Sequence, residues 1–315
     1  MAKILTLTLN PALDITIGLD TLRPGQVNRS QAQHSHAAGK GLNVAQVLAD
    51  LGHSVTVGGF LGRDNLQPFE ALIDGRGFTD CFVRVSGETR SNIKLVEADG
   101  RVTDINGQGP EVDEAARSAL LHRLEQIAPG HDAVVVAGSL PRGISADWFR
   151  QLLERLKAQG LKVVLDSSGE ALRVGLQSAP WLVKPNTEEL GEVLGLAVDN
   201  LAQQRAAAKR LLDSGVEHVV VSAGEQGVTW FSRDLALQAR PPKVRVASTV
   251  GAGDSLVAGM VHGLLLAEAP AQTLTRATAI AAQAVTQVGF GIHDREHLAQ
   301  LEAAVQLTEQ QEGCR

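Results

Sequence analysis

Five short apolar runs, at 55–57, 133–136, 162–165, 181–183 and 218–221, are rich in Val and Leu and are separated by stretches of helical period. Runs that are nearly continuous rather than alternating need cover on both faces of a sheet. This repetition predicts an α/β chain, with helices such as 111–128, 146–158 and 201–214 packed outside a mostly parallel sheet and ligands at the carboxyl ends of its strands. Two regions, about 13–33 and 88–108, break the pattern because they offer hairpin-like strands with no helix between them, and Asp99-Gly100 supplies a turn signal. They predict one small sheet standing off the main body, able to cover a site and to pair with another subunit; plain edge strands are the alternative. No repeat, low-complexity tract or long linker divides the chain, so 1–315 is expected to form one domain carrying two lid segments.

With 315 residues, 44% hydrophobic and 20% charged, the chain can bury a large core. A net charge of -6 argues against nucleic acid or an anionic membrane as partner, while leaving room for a local basic pocket. Cys81 and Cys314 are too few and too far apart for a metal cluster or disulfide framework. The strand pattern at 3–9 begins without a signal peptide, and no uncharged apolar run reaches membrane-spanning length. These features fit a soluble protein of a reducing cytoplasm.

The chemistry concentrates at Ser248-Thr249-Val250-Gly251-Ala252-Gly253-Asp254-Ser255, where two glycines and a carboxylate meet the start of an apolar helix expected over 253–267. Unpaired N–H groups and partial positive charge at a helix N-terminus suit a phosphoryl group. A carboxylate beside such an anion is awkward unless it takes a proton from a nucleophile, so Asp254 reads as a general base. The competing reading makes Asp254 an ordinary N-cap. Neither a dinucleotide glycine fingerprint nor a Walker-type loop is present: the first strand leads into Asn10-Pro11-Ala12-Leu13-Asp14, and Gly39-Lys40-Gly41 lacks the following Ser or Thr. The segment 37–45 instead offers backbone access at its glycines, a cation at Lys40 and an amide at Asn43, a set able to grip a polyhydroxy ligand or to form a plain glycine-rich helix start.

Together the 37–45 and 249–254 segments resemble the two signatures of the ribokinase-like (PfkB) carbohydrate kinases. The likeness extends to Asn10-Pro11-Ala12-Leu13-Asp14, Gly138-Ser139-Leu140-Pro141, Lys184-Pro185-Asn186-Thr187-Glu188-Glu189 and Ser222-Ala223-Gly224-Glu225-Gln226-Gly227, six ordered matches over nearly the whole chain, with Ala38 standing where many members have Gly. The resemblance implies a ribokinase-like three-layer α/β/α sandwich with a mostly parallel central sheet and a small β-sheet lid. It also implies Asp254 as base, the amides of Gly251, Ala252 and Gly253 as anion hole, and Asp14, Gly39 and Asn43 as the sugar cradle. Lys184, Asn186, Ser222, Gly224, Gly227 and Thr249, with Gly253, would hold ATP, whose adenine would lie near 277–286. Glu189, the acid of an Asn-x-x-Glu element, would position Mg2+, usually through water.

Arg90 looks like the clamp of the phosphosugar members for a phosphate already on the substrate, a role suited to a guanidinium fork. Lys40 and Ser139 are its expected helpers, whereas Arg29 and Lys94 are either ligands or solvated charges. Segments 37–41, 57–62 and 179–186 are most similar to the bacterial branch acting on fructose 1-phosphate. The expected reaction is ATP-dependent phosphorylation of that ketohexose phosphate at C6. Kinases of tagatose 6-phosphate or fructose 6-phosphate are the rivals within the family, and a sugar-phosphate-sensing regulatory protein the rival outside it. The family also implies a homodimer joined through the lid sheet.

Overall fold

In a computed structural model, which describes residues 1–309, the chain runs β1 (Lys3–Thr8), β2 (Ala12–Leu19), β3 (Ala32–Ala38), α1 (Lys40–Asp50), β4 (Ser54–Gly62), α2 (Gln67–Arg76), β5 (Thr79–Val85), β6 (Arg90–Glu97) and β7 (Val102–Asn106). It continues as α3 (Glu114–Ile127), β8 (Ala133–Ala137), α4 (Ala146–Ala158), β9 (Lys162–Asp166), α5 (Gly169–Gly175), β10 (Leu182–Val183), α6 (Thr187–Leu194), α7 (Leu201–Asp213) and β11 (His218–Ser222). The last elements are β12 (Val228–Ser232), β13 (Leu235–Arg240), α8 (Ala252–Leu265), α9 (Pro270–Ala284), α10 (Arg295–Ala304) and β14 (Gln306–Glu309). Cys314 lies outside the described residues.

The large sheet has the order β14-β13-β12-β11-β10-β9-β8-β1-β4-β5. From β11 to β5 every pairing is parallel, and β12, β13 and β14 add an antiparallel edge that the apolar runs did not announce. Strand alternation sends Ile4, Val57, Val135, Val164 and Val220 to one face, where α1, α8 and α9 bury Leu42, Val257 and Ala277. Leu5, Leu7, Val134, Val136, Leu165 and Val219 face the other way, onto Leu120 of α3, Leu152 of α4 and Leu211 of α7. Period-two side chains between two helical layers therefore produce the three-layer sandwich.

Boundaries shift for local reasons. The helix expected over 111–128 begins at Glu114 because Asp113 caps it, accepting from Ala116 N at 2.7 Å, while Glu111 bridges to Arg142. The strand expected over 181–183 keeps only Leu182 and Val183 in the ladder. The apolar helix runs 252–265 rather than 253–267, since Ala267 turns to a φ of 52°.

The two irregular regions join as a second sheet of order β3-β2-β6-β7. β2 pairs antiparallel with β3 and parallel with β6, so hairpins far apart in sequence are stitched side by side. The first region reaches past its expected end, because β3 continues to Ala38. Asp14, His36, Asn92 and Asn106 occupy one row and one face; Ile15, Ser35, Ile93 and Ile105 form the adjacent row on the other.

Candidate active site

Three strand ends and one helix start converge. β9 ends in Asp166, β10 leads to Lys184, the turn after β3 leads into Lys40 and Asn43 of α1, and α8 begins beside them. Gly251 is the residue before α8, with a φ of 83° and no side chain capping the helix. The first-turn amides of Ala252, Gly253 and Asp254 are thus left without a side-chain acceptor. Asp254 stands in the third helical position, so it is not the N-cap of the competing reading. Its Oδ2 accepts from Asn43 Nδ2 at 2.7 Å, and the side chain is buried. Burial, then the negative charge of Asp166, pushes its pKa up to about 6, against the pull of Lys40, the Asn43 hydrogen bond and Lys184.

Asp166 is a residue the sequence reading missed. It is wholly buried, its Oδ1 lies 3.3 Å from both Lys40 Nζ and Lys184 Nζ, and its Oδ2 has no hydrogen-bond partner among the described residues. The available signal was an acid closing the apolar run Val163-Val164-Leu165 at the end of a parallel strand. Lys184 is itself buried, and its Nζ lies 3.3 Å from where a β-carbon on Gly253 would stand. Its ammonium therefore rests against the first turn of α8. Lys40 is half-buried; burial lowers its pKa, but the carboxylates of Asp166, Asp254 and Glu189 outweigh this and hold it above the ordinary lysine value.

Other expected residues acquire structural duties. Asn186 caps α6, accepting from Glu189 N at 2.7 Å, while Glu189 Oε2 accepts from Asn186 N at 2.9 Å, a reciprocal capping box. Asn186 also bridges to Ser222. A β-carbon at Gly39 would stand 2.6 Å from Thr8 Cγ2, and one at Gly227 only 2.1 Å from the Ala239 carbonyl oxygen. Local packing, by the Thr8 side chain at Gly39 and by backbone at Gly227, together with positive φ angles of 143° and 107°, requires both glycines. Gly224 and Thr249 are exposed.

A second group lies at the base of the small sheet. Asp14 Oδ1 accepts from Asn92 Nδ2 at 3.0 Å. The Arg90 guanidinium donates to the carbonyls of Asn10, Pro11 and Gly107 at 3.1–3.4 Å, which leaves two of its five N–H donors uncommitted. Ser139 Oγ accepts from Asn10 Nδ2 at 3.1 Å. Gly138 N donates to the Asp166 carbonyl at 3.0 Å, so this second group adjoins the first. Lys94 instead pairs with Asp104 at 3.8 Å, and Arg29 is exposed.

The arrangement sets a buried carboxylate and a lysine at an uncapped helix N-terminus, next to a polar sheet face with guanidinium donors to spare. It can take a proton from a hydroxyl while binding two anions. Among the described residues no three His, Cys, Asp or Glu side chains gather to hold a metal on their own, and no helix is long and apolar enough to cross a membrane.

A profile of the pfkB family of carbohydrate kinases matches residues 7–296. The 1-phosphofructokinase of Vibrio cholerae is 46% identical over 306 residues, covering 97% of this chain and 96% of its own. That of Escherichia coli K12 is 45% identical over 305 residues, covering 97% and 98%. The crystal structure of Escherichia coli phosphofructokinase-2 in complex with fructose-6-phosphate superposes with a TM-score of 0.86 at 28% identity, covering 96% of this chain and 99% of that one.

Proposed function

The chain belongs to the pfkB family of carbohydrate kinases, and from that premise we propose that it transfers the γ-phosphoryl group of ATP to the C6 hydroxyl of fructose 1-phosphate, yielding fructose 1,6-bisphosphate and ADP. Relatives named 1-phosphofructokinase at 46% and 45% identity support this substrate over fructose 6-phosphate, which accompanies a solved relative at 28%. The observation that carries the mechanism is Asp254, buried in the first turn of α8 with one oxygen held by Asn43.

With a pKa near 6, Asp254 is mostly ionised at neutral pH yet basic enough to accept a proton. It takes the C6 hydroxyl proton as the new oxygen–phosphorus bond forms and the bond from the γ-phosphorus to the bridging oxygen breaks; ADP departs with that electron pair. The amides of Gly251, Ala252 and Gly253 receive the migrating group, and Lys184 offsets triphosphate charge beside them. Ser222, Gly224, Gly227, Asn186 and Thr249 line the remainder of the nucleotide site. Asp14, Gly39 and Asn43 orient the sugar hydroxyls. The two spare N–H groups of Arg90, with Lys40 and Ser139, hold the 1-phosphate so that C6 rather than another hydroxyl lies in line.

Mg2+ keeps most of its water and takes few protein ligands, so Glu189, whose charge reaches Lys40, would hold it through water. When bound, it supplies neutralisation of the phosphate oxygens. The small sheet acts as lid and dimer interface: one face carries Asp14 and Asn92, and the other presents Ile15, Ile93 and Ile105, the last of them 53% exposed. The cytoplasm is the expected compartment.

Initial rates of ADP release with Mg-ATP and, in turn, fructose 1-phosphate, fructose 6-phosphate and tagatose 6-phosphate test the reading. The highest kcat/KM belongs to the first; a tenfold preference for either other sugar phosphate overturns it.

A further inference from the structure

The strap that follows α9 touches both the anion-hole turn and the small sheet. Val285 O accepts from Ala247 N at 2.7 Å and Ser248 N at 3.2 Å, so the strap underlies the approach to Gly251. Five residues on, the Phe290 ring fills the space over Gly251: a β-carbon there would lie 2.6 Å from its Cε1 and 2.8 Å from its Cδ1. The same ring also meets the His36 imidazole, with centroids 5.7 Å apart and planes inclined at 58°. His36 sits directly across the β2–β3 ladder from Asp14 and on the same face.

Phe290 is braced from behind. Asp50 Oδ2 accepts from Ile292 N at 2.7 Å and from Arg76 Nη2 at 3.0 Å, Gln287 Nε2 donates to the Gly291 carbonyl at 2.8 Å, and Arg295 Nη2 donates to the Asp50 carbonyl at 2.6 Å. Gly291 has a φ of 109°, and a β-carbon there would stand 2.5 Å from Asp50 Oδ2, so the brace closes tightly. The ring thus stands between His36 and Gly251 on a strap tied by these bonds. An approach of β3 to the main body would press, through His36 and Phe290, on the turn carrying the Gly251–Gly253 amides.

We infer that Phe290 is a positioning residue that couples the placement of the small sheet, through His36, to the alignment of the anion-hole amides. The inference rests on the proposed reading of that turn as the receiver of the γ-phosphoryl group. The ring touches no reacting atom; it fixes where Gly251 lies once the sugar cradle row of Asp14 and His36 is in place. Misplacing an aligned reactant by about 1 Å costs on the order of 100-fold in rate, and losing one oxyanion donor costs a comparable amount.

The test compares Phe290→Ala, Phe290→Leu and His36→Ala with the wild type. ADP release is measured with fructose 1-phosphate and without sugar, and thermal melts report folding. Phe290→Ala is expected to lower kcat by roughly 10- to 100-fold with KM for ATP unchanged within about threefold, and to raise sugar-independent ADP release relative to the coupled rate. Phe290→Leu, which refills the space, restores kcat to within about fivefold of wild type. His36→Ala lowers kcat at least fivefold and adds nothing when combined with Phe290→Ala. A folded Phe290→Ala with kcat within twofold of wild type overturns the inference, as do equal losses in the Ala and Leu variants. Should the Ala variant not fold, an unaltered kcat in His36→Ala overturns it. An inactive wild type would count against the proposed reaction instead, which separates the two failures.

Discussion

On the proposed reaction, replacing Asp254 with Asn removes the acceptor of the C6 proton while keeping the shape of the side chain, and its amide oxygen can still accept from Asn43 Nδ2. Loss of a positioned base lowers turnover by about 10²- to 10⁴-fold. The same substitution should stabilise the fold. Asp254 is buried, and its native pKa of about 6 exceeds the ordinary 3.8, so the folded state binds this proton more tightly than the unfolded chain does. The cost of the buried charge is absent below pH 3.8, grows between 3.8 and 6, and levels off above that. A difference of roughly two pKa units corresponds to about 3 kcal/mol on the plateau. Asp254→Asn should therefore exceed the wild type in urea stability by about 3 kcal/mol at pH 8 and by roughly half that at pH 5. A variant that is slow but no more stable at pH 8 would show that the carboxylate is not strained as described. One that keeps more than a tenth of wild-type turnover would remove Asp254 from the base role.

Asp166→Asn leaves the buried Lys184 ammonium without its carboxylate, which should cost about 3 kcal/mol of stability. It also lowers the pKa of Asp254, because a negative charge beside it is gone, so the acid limb of the kcat/KM profile moves to lower pH; an unmoved limb refutes that coupling. Glu189→Gln keeps the capping box, since Gln can accept from Asn186 N, so the melt should shift by about 0.5 kcal/mol or less. Half-saturating Mg2+ should rise at least roughly tenfold, and an unchanged requirement would reduce Glu189 to a helix cap. Ile93→Lys places a charge in the middle of the apolar sheet face and should give a monomer by light scattering; an unchanged mass rejects that face as the interface.

The central sheet was legible because its Val-rich strands need cover on both sides, and that requirement is written in local composition. The antiparallel edge was not, since β13 and β14 are partly or wholly exposed and only β12 is buried along most of its length. Residues whose type names their chemistry, such as Asp254, Lys184 and Arg90, could be picked out from the motifs around them. Asp166 escaped because it lies in no glycine-rich segment; its importance arises from two lysines brought to one oxygen from 126 residues before it and 18 after. Phe290 escaped for the same reason, as a lone aromatic between α9 and α10 gives no hint that it will fill the space over Gly251. The twin duties of Gly39 and Gly227 show the converse. Glycines in a binding motif were required by their own backbone angles and by neighbouring atoms as much as by any ligand.

All four strands of the small sheet connect to the main body at the same end, where Ala12, Ala38 and Arg90 stand abreast. With every connection at one edge, a rigid swing of the sheet would pivot about that end, while a one-residue slip between its strands would exchange the row of Ile15, Ile93 and Ile105 with that of Asp14 and Asn92. β2 spans about 23 Å, so a 10° swing would carry its far end by about 4 Å and Asp14, two residues from the hinge line, by only about 1 Å. The row of Asp14, His36 and Asn92 therefore lies near the fulcrum, where little would move, and the amplitude falls at the tip.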